Sequence, residues 1–412
     1  MGRKIFMGGI CGMGMAPLAM FLREGGCEVC GFDDSPNPAV KEMLLSRGVK
    51  FCESRTPGFC PDEFIITSAL KHDKQYLKEI SRKNFSRRGE ALARIAEKRR
   101  LIGVCGSHGK TTTTTLICHA IQKLGLDAGY ITGAIPNKIP PQKYCAENKI
   151  LAAEIDESDG TIENFSPEIA VALNADLDHT DTYKDMQSIG EMFSRLFSRA
   201  KKYIVIPEGD EILKSAAAGK KAETVFVKTP KDDFVLSDKM MAQRALELAF
   251  ERDFPLTIFG DFAGVGRRQE ILRDDGEIFA VADYAHHPRE VGAFMAWLDK
   301  NAPEKKLVFF QPHRYSRTKR FAKDFQEIFS SRAKKGDKIF ILPVYAASEP
   351  FDETATEKII AKQNLMLAKF SEMGNILRDF KKGSKTKVCA AFVGAGDVYF
   401  EAKKLFDFYE KI

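Results

Sequence analysis

Leu101-Ile-Gly-Val-Cys-Gly-Ser-His-Gly-Lys-Thr-Thr-Thr-Thr-Thr115 decides how this chain reads. An apolar run leads into Gly106, Ser107, His108, Gly109, Lys110, Thr111 and Thr112, and Thr112–Leu124 continues as a helix. Strand, glycine turn and helix start together make an anion cradle. Small residues let backbone N–H groups approach phosphate oxygens, and the helix N-terminus adds partial positive charge. Lys110 can reach outer phosphates and the Thr111 hydroxyl can ligate Mg²⁺, so the stretch reads as an ATP site. The common phosphate loop has a glycine five places before its second one, but Val104 stands there. Gly106 precedes Gly109 by only three, which makes this a shortened variant.

Working outward, 412 residues allow two to four domains and bury a core easily. The composition, 44% hydrophobic and 29% charged, is that of a globular protein, and a net charge of +6 suits a small anionic substrate as well as nucleic acid. No apolar run reaches 18 residues, so no membrane span or membrane partner is expected. The start, Met1-Gly-Arg-Lys-Ile-Phe-Met, leads into a strand and not a signal segment, so a cytoplasmic protein is expected. Nine cysteines without framework spacing read as buried free thiols.

Before the loop, Lys4–Met7 reads as a strand, Gly8-Gly-Ile-Cys-Gly12-Met-Gly14 as a turn and Ala16–Glu24 as a helix. Glu28–Phe32 is then a second strand closing on Asp33. This is a Rossmann-type opening, with Gly9, Gly12 and Gly14 at the turn and a carboxylate after the second strand. Pro17 breaks the dinucleotide fingerprint. That leaves a plain structural turn or a cradle for another nucleotide diphosphate. Residues 81–100 carry eight Lys or Arg, which raises nucleic-acid binding by a P-loop ATPase as a reading from a different class. Few aromatics are interleaved there and Gly89–Lys98 reads as an amphipathic helix leading into the next domain, so a solvated linker helix is expected, with a domain boundary at 99/100.

Beyond the loop, strand Ile150–Ala153 ends in Glu154-Ile-Asp-Glu-Ser-Asp159, and Ile169–Leu173 ends in Asn174-Ala-Asp-Leu-Asp-His-Thr-Asp-Thr-Tyr183. In a parallel sheet both acidic ends would lie beside the phosphate loop. Glu154 suits Mg²⁺, which takes oxygen ligands; His179, a less usual ligand, stands in a carboxylate-rich turn. Helix caps are the bland alternative.

These three motifs, Gly106–Thr114, Glu154–Asp159 and Asp178–Tyr183, resemble those of the Mur ligases. The resemblance implies an α/β chain of three domains. Residues 1–99 would be a Rossmann-like domain for a UDP-sugar, 100–266 a central P-loop-type ATPase domain, and 267–412 a Rossmann-like domain for an amino acid. It also implies an ADP-forming ligase that builds peptidoglycan precursors, with ATP and Mg²⁺ as cofactors, working as a monomer or weak homodimer without nucleic acid. Lys110 would contact the γ-phosphate, Thr111 one magnesium, and Glu154 with His179 another. The short loop spacing becomes a family mark. Within the family, Asp156–Asp159 and Pro312–Thr318 lean toward the branch that joins L-alanine to UDP-N-acetylmuramate, while Gly9–Gly12 leans toward the branch that attaches a recycled tripeptide. The family's adenine-holding G-x-H-N segment is replaced here by Leu236-Ser-Asp-Lys-Met, and no lysine between Lys184 and Lys201 can serve as a carbamylated one.

In the last third, strands Phe279–Ala282, Leu307–Phe310, Ile339–Leu342 and Val388–Val393 end in polar residues that form one rim of a parallel sheet. Arg314 and Arg317, three apart at a helix start, can clamp a carboxylate. The resemblance places Tyr284, His286, His313, Arg314 and Arg317 around the incoming amino acid and Asp283 near the nucleotide. His286 is the candidate to assist deprotonation of the amine.

Overall fold

The computed structural model describes residues 2–67, 70, 73–80, 84–157, 160–176, 183–230, 233–347, 349–352, 354–355, 359 and 365–409. The chain is α/β and divides into two compact units, Met1–Ala263 and Gly264–Ile412. Three sheets carry it, two in the first unit and one in the second. Among the described residues no helix is long and apolar enough to cross a membrane.

The first sheet is all parallel, in the order β3-β2-β1-β4-β5: β1 (Lys4–Gly8), β2 (Glu28–Phe32), β3 (Lys50–Phe51), β4 (Glu63–Ile66) and β5 (Phe85–Arg87). Its helices are α1 (Met15–Glu24), α2 (Pro38–Ser46), α3 (Lys74–Ile80) and α4 (Arg88–Glu97). The chain starts in the middle strand and winds outward both ways, which leaves a crevice at the carboxyl end of β1, at Gly8–Gly14.

The second sheet runs β12-β11-β10-β6-β9-β7-β8, with only β8 antiparallel. Its strands are β6 (Arg100–Cys105), β7 (Ala128–Ile131), β8 (Gln142–Lys143), β9 (Ile150–Glu154), β10 (Ile169–Ala172), β11 (Tyr203–Pro207) and β12 (Glu223–Val227). Helices α5 (Lys110–Lys123), α6 (Met186–Phe197), α7 (Glu211–Ala217) and α8 (Phe234–Phe250) cover it. Strand β6, buried from Leu101 to Cys105, lies between β9 and β10, so the acidic ends of both neighbours flank the phosphate loop. One hydrophobic cluster runs from Ile5 and Met7 through Phe21 and Leu92 to Leu151 and Phe193, so the first two sheets share a core.

The third sheet runs β13-β14-β18-β15-β16-β17, with only β13 antiparallel. It comprises β13 (Glu270–Asp274), β14 (Ile278–Asp283), β15 (Lys306–Phe310), β16 (Lys338–Ile341), β17 (Met366–Leu367) and β18 (Val388–Val393). Both faces are packed: helices α9 (Pro288–Asn301), α10 (Tyr315–Arg320) and α11 (Ala322–Lys334) lie in chain order between β14 and β16, and helices Met373–Lys382 and Val398–Tyr409 flank β18.

Two expectations are corrected. The basic stretch is no solvated linker: Ala91, Leu92, Ala93 and Ala96 of α4 are buried, and Arg94 binds the buried Glu63 of β4. Residues 81–83 lie outside the described residues. Cysteines are not all free either. Cys30 and Cys52 form a disulfide, because the β2–β3 register pairs Cys30 with Lys50 and brings Cys52, two residues on, alongside it. The other seven are free.

Candidate active site

The phosphate loop is held open by its neighbour strand. Gly106 has φ 127° and Gly109, the N-cap of α5, has φ 81°, a region that favours glycine. A Cβ on Gly109 would also meet Asp238 Oδ1 of α8 at 2.7 Å. The chain after β10 fastens the loop: His108 N donates to Asn174 Oδ1 at 2.9 Å, Asn174 Nδ2 returns a bond to His108 O at 3.1 Å, and Ser107 Oγ donates to Asp176 O at 2.9 Å. The His108 ring stands 3.4 Å from the Asp176 carboxylate. Ser107, His108, Lys110, Thr111 and Thr112 are half-buried along this turn.

Lys110 bends back over the loop. Its Nζ donates to Gly106 O at 2.7 Å and to Glu157 Oε1 at 2.8 Å. Burial alone would lower its pKa, but the carboxylates of Glu157, Asp156 and Glu154 outweigh that and hold it above the ordinary lysine value. Thr111 Oγ1 donates to Glu154 Oε2 at 2.9 Å, and burial raises the Glu154 carboxyl against the pull of Lys110. Gly133 leaves room for that carboxylate, since a Cβ there would meet Glu154 Oε2 at 2.1 Å. The structure therefore brings Gly106 through Thr112 together with Glu154, and adds Glu157, which the spacing had offered only as one acid among several. Among the described residues no group of three metal-ligating side chains converges. His179 lies outside the described residues.

At the first glycine turn, Gly9 N and Ile10 N both donate to Phe32 O, at 2.9 and 3.0 Å, and Gly12 N donates to Gly9 O at 3.0 Å. Asp33 Oδ2 accepts from Cys11 N at 2.9 Å, so the carboxylate expected at the ligand ties down the turn itself. Arg88, absent from the sequence-based set, packs against Gly14, where a Cβ would meet its Nη1 at 3.2 Å, and pairs with Asp156 at 3.5 Å. One side chain thus connects the glycine turn of the first sheet with the acidic end of β9.

In the second unit, β14, β18 and β15 are adjacent, and their register aligns Asp283, Val393 and Phe310. Asp283 is buried, accepts from Ala285 N at 2.8 Å and Gln269 N at 2.9 Å, and is pushed by burial from an ordinary 3.8 up to about 6. Past these strand ends the rings form a chain: Tyr284 is edge-on to His286 at 5.4 Å, His286 lies 5.3 Å from His313, and His313 stacks on Tyr345 at 5.3 Å. Arg314 adopts φ 66°, its N donating to Tyr345 O at 2.8 Å, and Arg317 follows one turn into α10. His287 is structural: it is buried and its Nδ1 accepts from Arg289 N at 3.3 Å, capping α9. Tyr345 and Glu290 join this site without a sequence motif to mark them.

Comparison with known proteins gives the family and the fold. A family model described as the Mur ligase middle domain matches residues 104–259, and one described as Mur ligase family, catalytic domain, matches residues 4–100. The UDP-N-acetylmuramate–L-alanine ligase of Rubrobacter xylanophilus is 30% identical over 84% of this chain and 85% of its own. That of Desulforapulum autotrophicum is 29% identical over 96% of each. Among solved structures, the UDP-N-acetylmuramate–alanine ligase of Thermotoga maritima superposes with a TM-score of 0.79 at 21% identity, covering 99% of both chains. A murein peptide ligase of Psychrobacter arcticus gives 0.70 at 18% identity, over 100% of this chain and 99% of that one. Those two structures speak for the fold.

Proposed function

The chain belongs to the Mur ligase family, and on that premise we propose that it joins L-alanine to the lactyl carboxylate of UDP-N-acetylmuramate, converting ATP to ADP and phosphate. The observation that carries the reading is Lys110, held between the Gly106 carbonyl and Glu157 at the start of α5. A lysine so placed gives an incoming γ-phosphate a fixed cation beside a helix N-terminus. Phosphoryl transfer needs charge neutralisation and positioning more than covalent help. The sugar carboxylate attacks the γ-phosphorus, the acyl phosphate forms, and the amine then displaces phosphate from the carbonyl carbon.

Mg²⁺ fits the donor set. Glu154, hydrogen-bonded to Thr111, supplies carboxylate and hydroxyl oxygens, and a hard cation that keeps waters and phosphate ligands needs few protein groups. Thr111 would hold one magnesium and Glu154, with His179, another, and these ions would neutralise phosphate charge. The turn at Gly9–Gly14, tied down by Asp33, is assigned to the UDP-sugar, and Tyr284, His286, His313, Arg314 and Arg317 to the amino acid. We place the reaction in the cytoplasm and the chain in the monomer or weak-homodimer class.

Phosphate release tests the reading, with ATP, Mg²⁺ and UDP-N-acetylmuramate plus L-alanine, L-serine, glycine or the murein tripeptide in turn. L-Alanine should give the fastest release. Activity with the tripeptide alone would assign the recycling reaction instead, and no ADP with any acceptor would end the ligase reading.

A further inference from the structure

The geometry points to Glu290 as a positioning residue whose carboxylate orients His286 so that its Nε2 takes the proton from the incoming amino group. The inference rests on the ligase reading above and names a residue that reading does not use. Oε2 of Glu290 accepts from His286 N at 3.1 Å and His287 N at 3.4 Å, and lies 3.3 Å from His286 Nδ1. Nδ1 is also 3.0 Å from the Tyr284 carbonyl oxygen. A carbonyl can only accept, so Nδ1 carries the hydrogen, and in the neutral ring the lone pair is left on Nε2. His287, next in the chain, has the opposite arrangement, its Nδ1 accepting from Arg289 N. Of the two adjacent histidines, one is consumed by the helix cap and the other is set up as a base.

An amino acid arrives as an ammonium ion and cannot attack a carbonyl until one N–H bond breaks. That proton forms the new Nε2–H bond, the nitrogen recovers its electron pair, and the imidazolium later releases the proton to solvent. A carboxylate beside Nδ1 stabilises the imidazolium and fixes the ring, the relation of base and orienter found in hydrolytic triads. The charged and titratable groups facing this pair are Arg268, 3.7 Å from Glu290 Oε1 and 5.4 Å from the Tyr284 ring, then Tyr284, the buried Asp283, His287 and His313.

Glu290 is also the third residue of α9 and closes a capping box with His287, which is the purely structural account of its position. Glu290→Gln separates the two roles, because the amide oxygen still accepts from backbone N–H while the charge is gone. The measurement is the pH profile of kcat/KM for L-alanine, with KM for ATP alongside. The variant should lose about 10- to 100-fold at neutral pH, with the acid limb moved down by about one pH unit. Its KM for ATP should stay within about twofold, and Glu290→Asp should restore part of the shift. An unmoved limb with near wild-type rates would overturn the proposal. Nitrogen NMR of His286 in the wild-type protein decides the orientation without turnover: hydrogen on Nδ1 supports it, hydrogen on Nε2 sinks it. Failure of the ligase reading would look different, as absent ADP formation in the wild type.

Discussion

A buried ion pair is a liability unless both partners stay, and Lys110–Glu157 is such a pair, with side chains only 11% and 5% exposed. Lys110→Ala should lower kcat by about 10²- to 10³-fold, the range for one lost charge-stabilising donor. It should also destabilise the first unit by about 3 kcal/mol, because Glu157 is left charged and buried. The double variant Lys110→Ala/Glu157→Gln should recover most of that stability in a denaturant titration and none of the activity. Recovery of both would mean that Lys110 serves the fold alone. Asp283 titrates in the other sense. Its folded pKa of about 6 lies above the ordinary 3.8, so the native state binds its proton more tightly than the unfolded chain does. Its contribution is fully present below about pH 4 and is lost as pH rises through 6, a swing of about 3 kcal/mol. Between those limits the stability of the second unit should fall with rising pH, and Asp283→Asn should flatten that slope in melts taken at half-unit steps.

At the scale of elements, the joint between β6 and α5 is tightly constrained backbone. Gly109 combines a left-handed φ with contact to Asp238, so Gly109→Ala faces about 1–2 kcal/mol of backbone strain before any clash is counted. ATP binding measured by calorimetry should weaken at least tenfold, with UDP-sugar binding left near wild type. This joint was legible because an apolar run, two glycines and a lysine–threonine pair are local signals. The carboxyl ends of β9, β14 and β15 were legible for the same reason, apolar runs stopping at polar residues. What escaped were partnerships set by register between distant strands. Arg94 finds Glu63 31 residues away and Arg88 finds Asp156 68 away, so a stretch rich in lysine and arginine looked solvated when read alone. The disulfide escaped likewise, since only the β2–β3 alignment brings Cys30 and Cys52 together. Asp238 escaped because a broken adenine motif gave no reason to expect α8 at the phosphate loop.

The whole molecule has two compact units, each with hydrophobic clusters of its own, three on the first two sheets and two on the third. The phosphate loop and glycine turn lie in Met1–Ala263, and the ring chain, the arginines and Asp283 in Gly264–Ile412. Ligand linkage then becomes a way to assign sites without a bound structure. A ligand at 100 times its Kd adds about 2.7 kcal/mol to the unit that binds it. For units of this size that raises a melting temperature by about 5–10 °C. Scanning calorimetry should resolve two transitions, and each variant above identifies its own: Lys110→Ala lowers one, Asp283→Asn alters the pH slope of the other. A non-hydrolysable ATP analogue with Mg²⁺, and separately UDP-N-acetylmuramate, should raise chiefly the transition lowered by Lys110→Ala. L-Alanine should raise only the one whose pH slope depends on Asp283. A shift of the Lys110 transition by L-alanine alone would move the amino-acid site out of the third sheet, and with it the roles given to His286, Arg314 and Glu290.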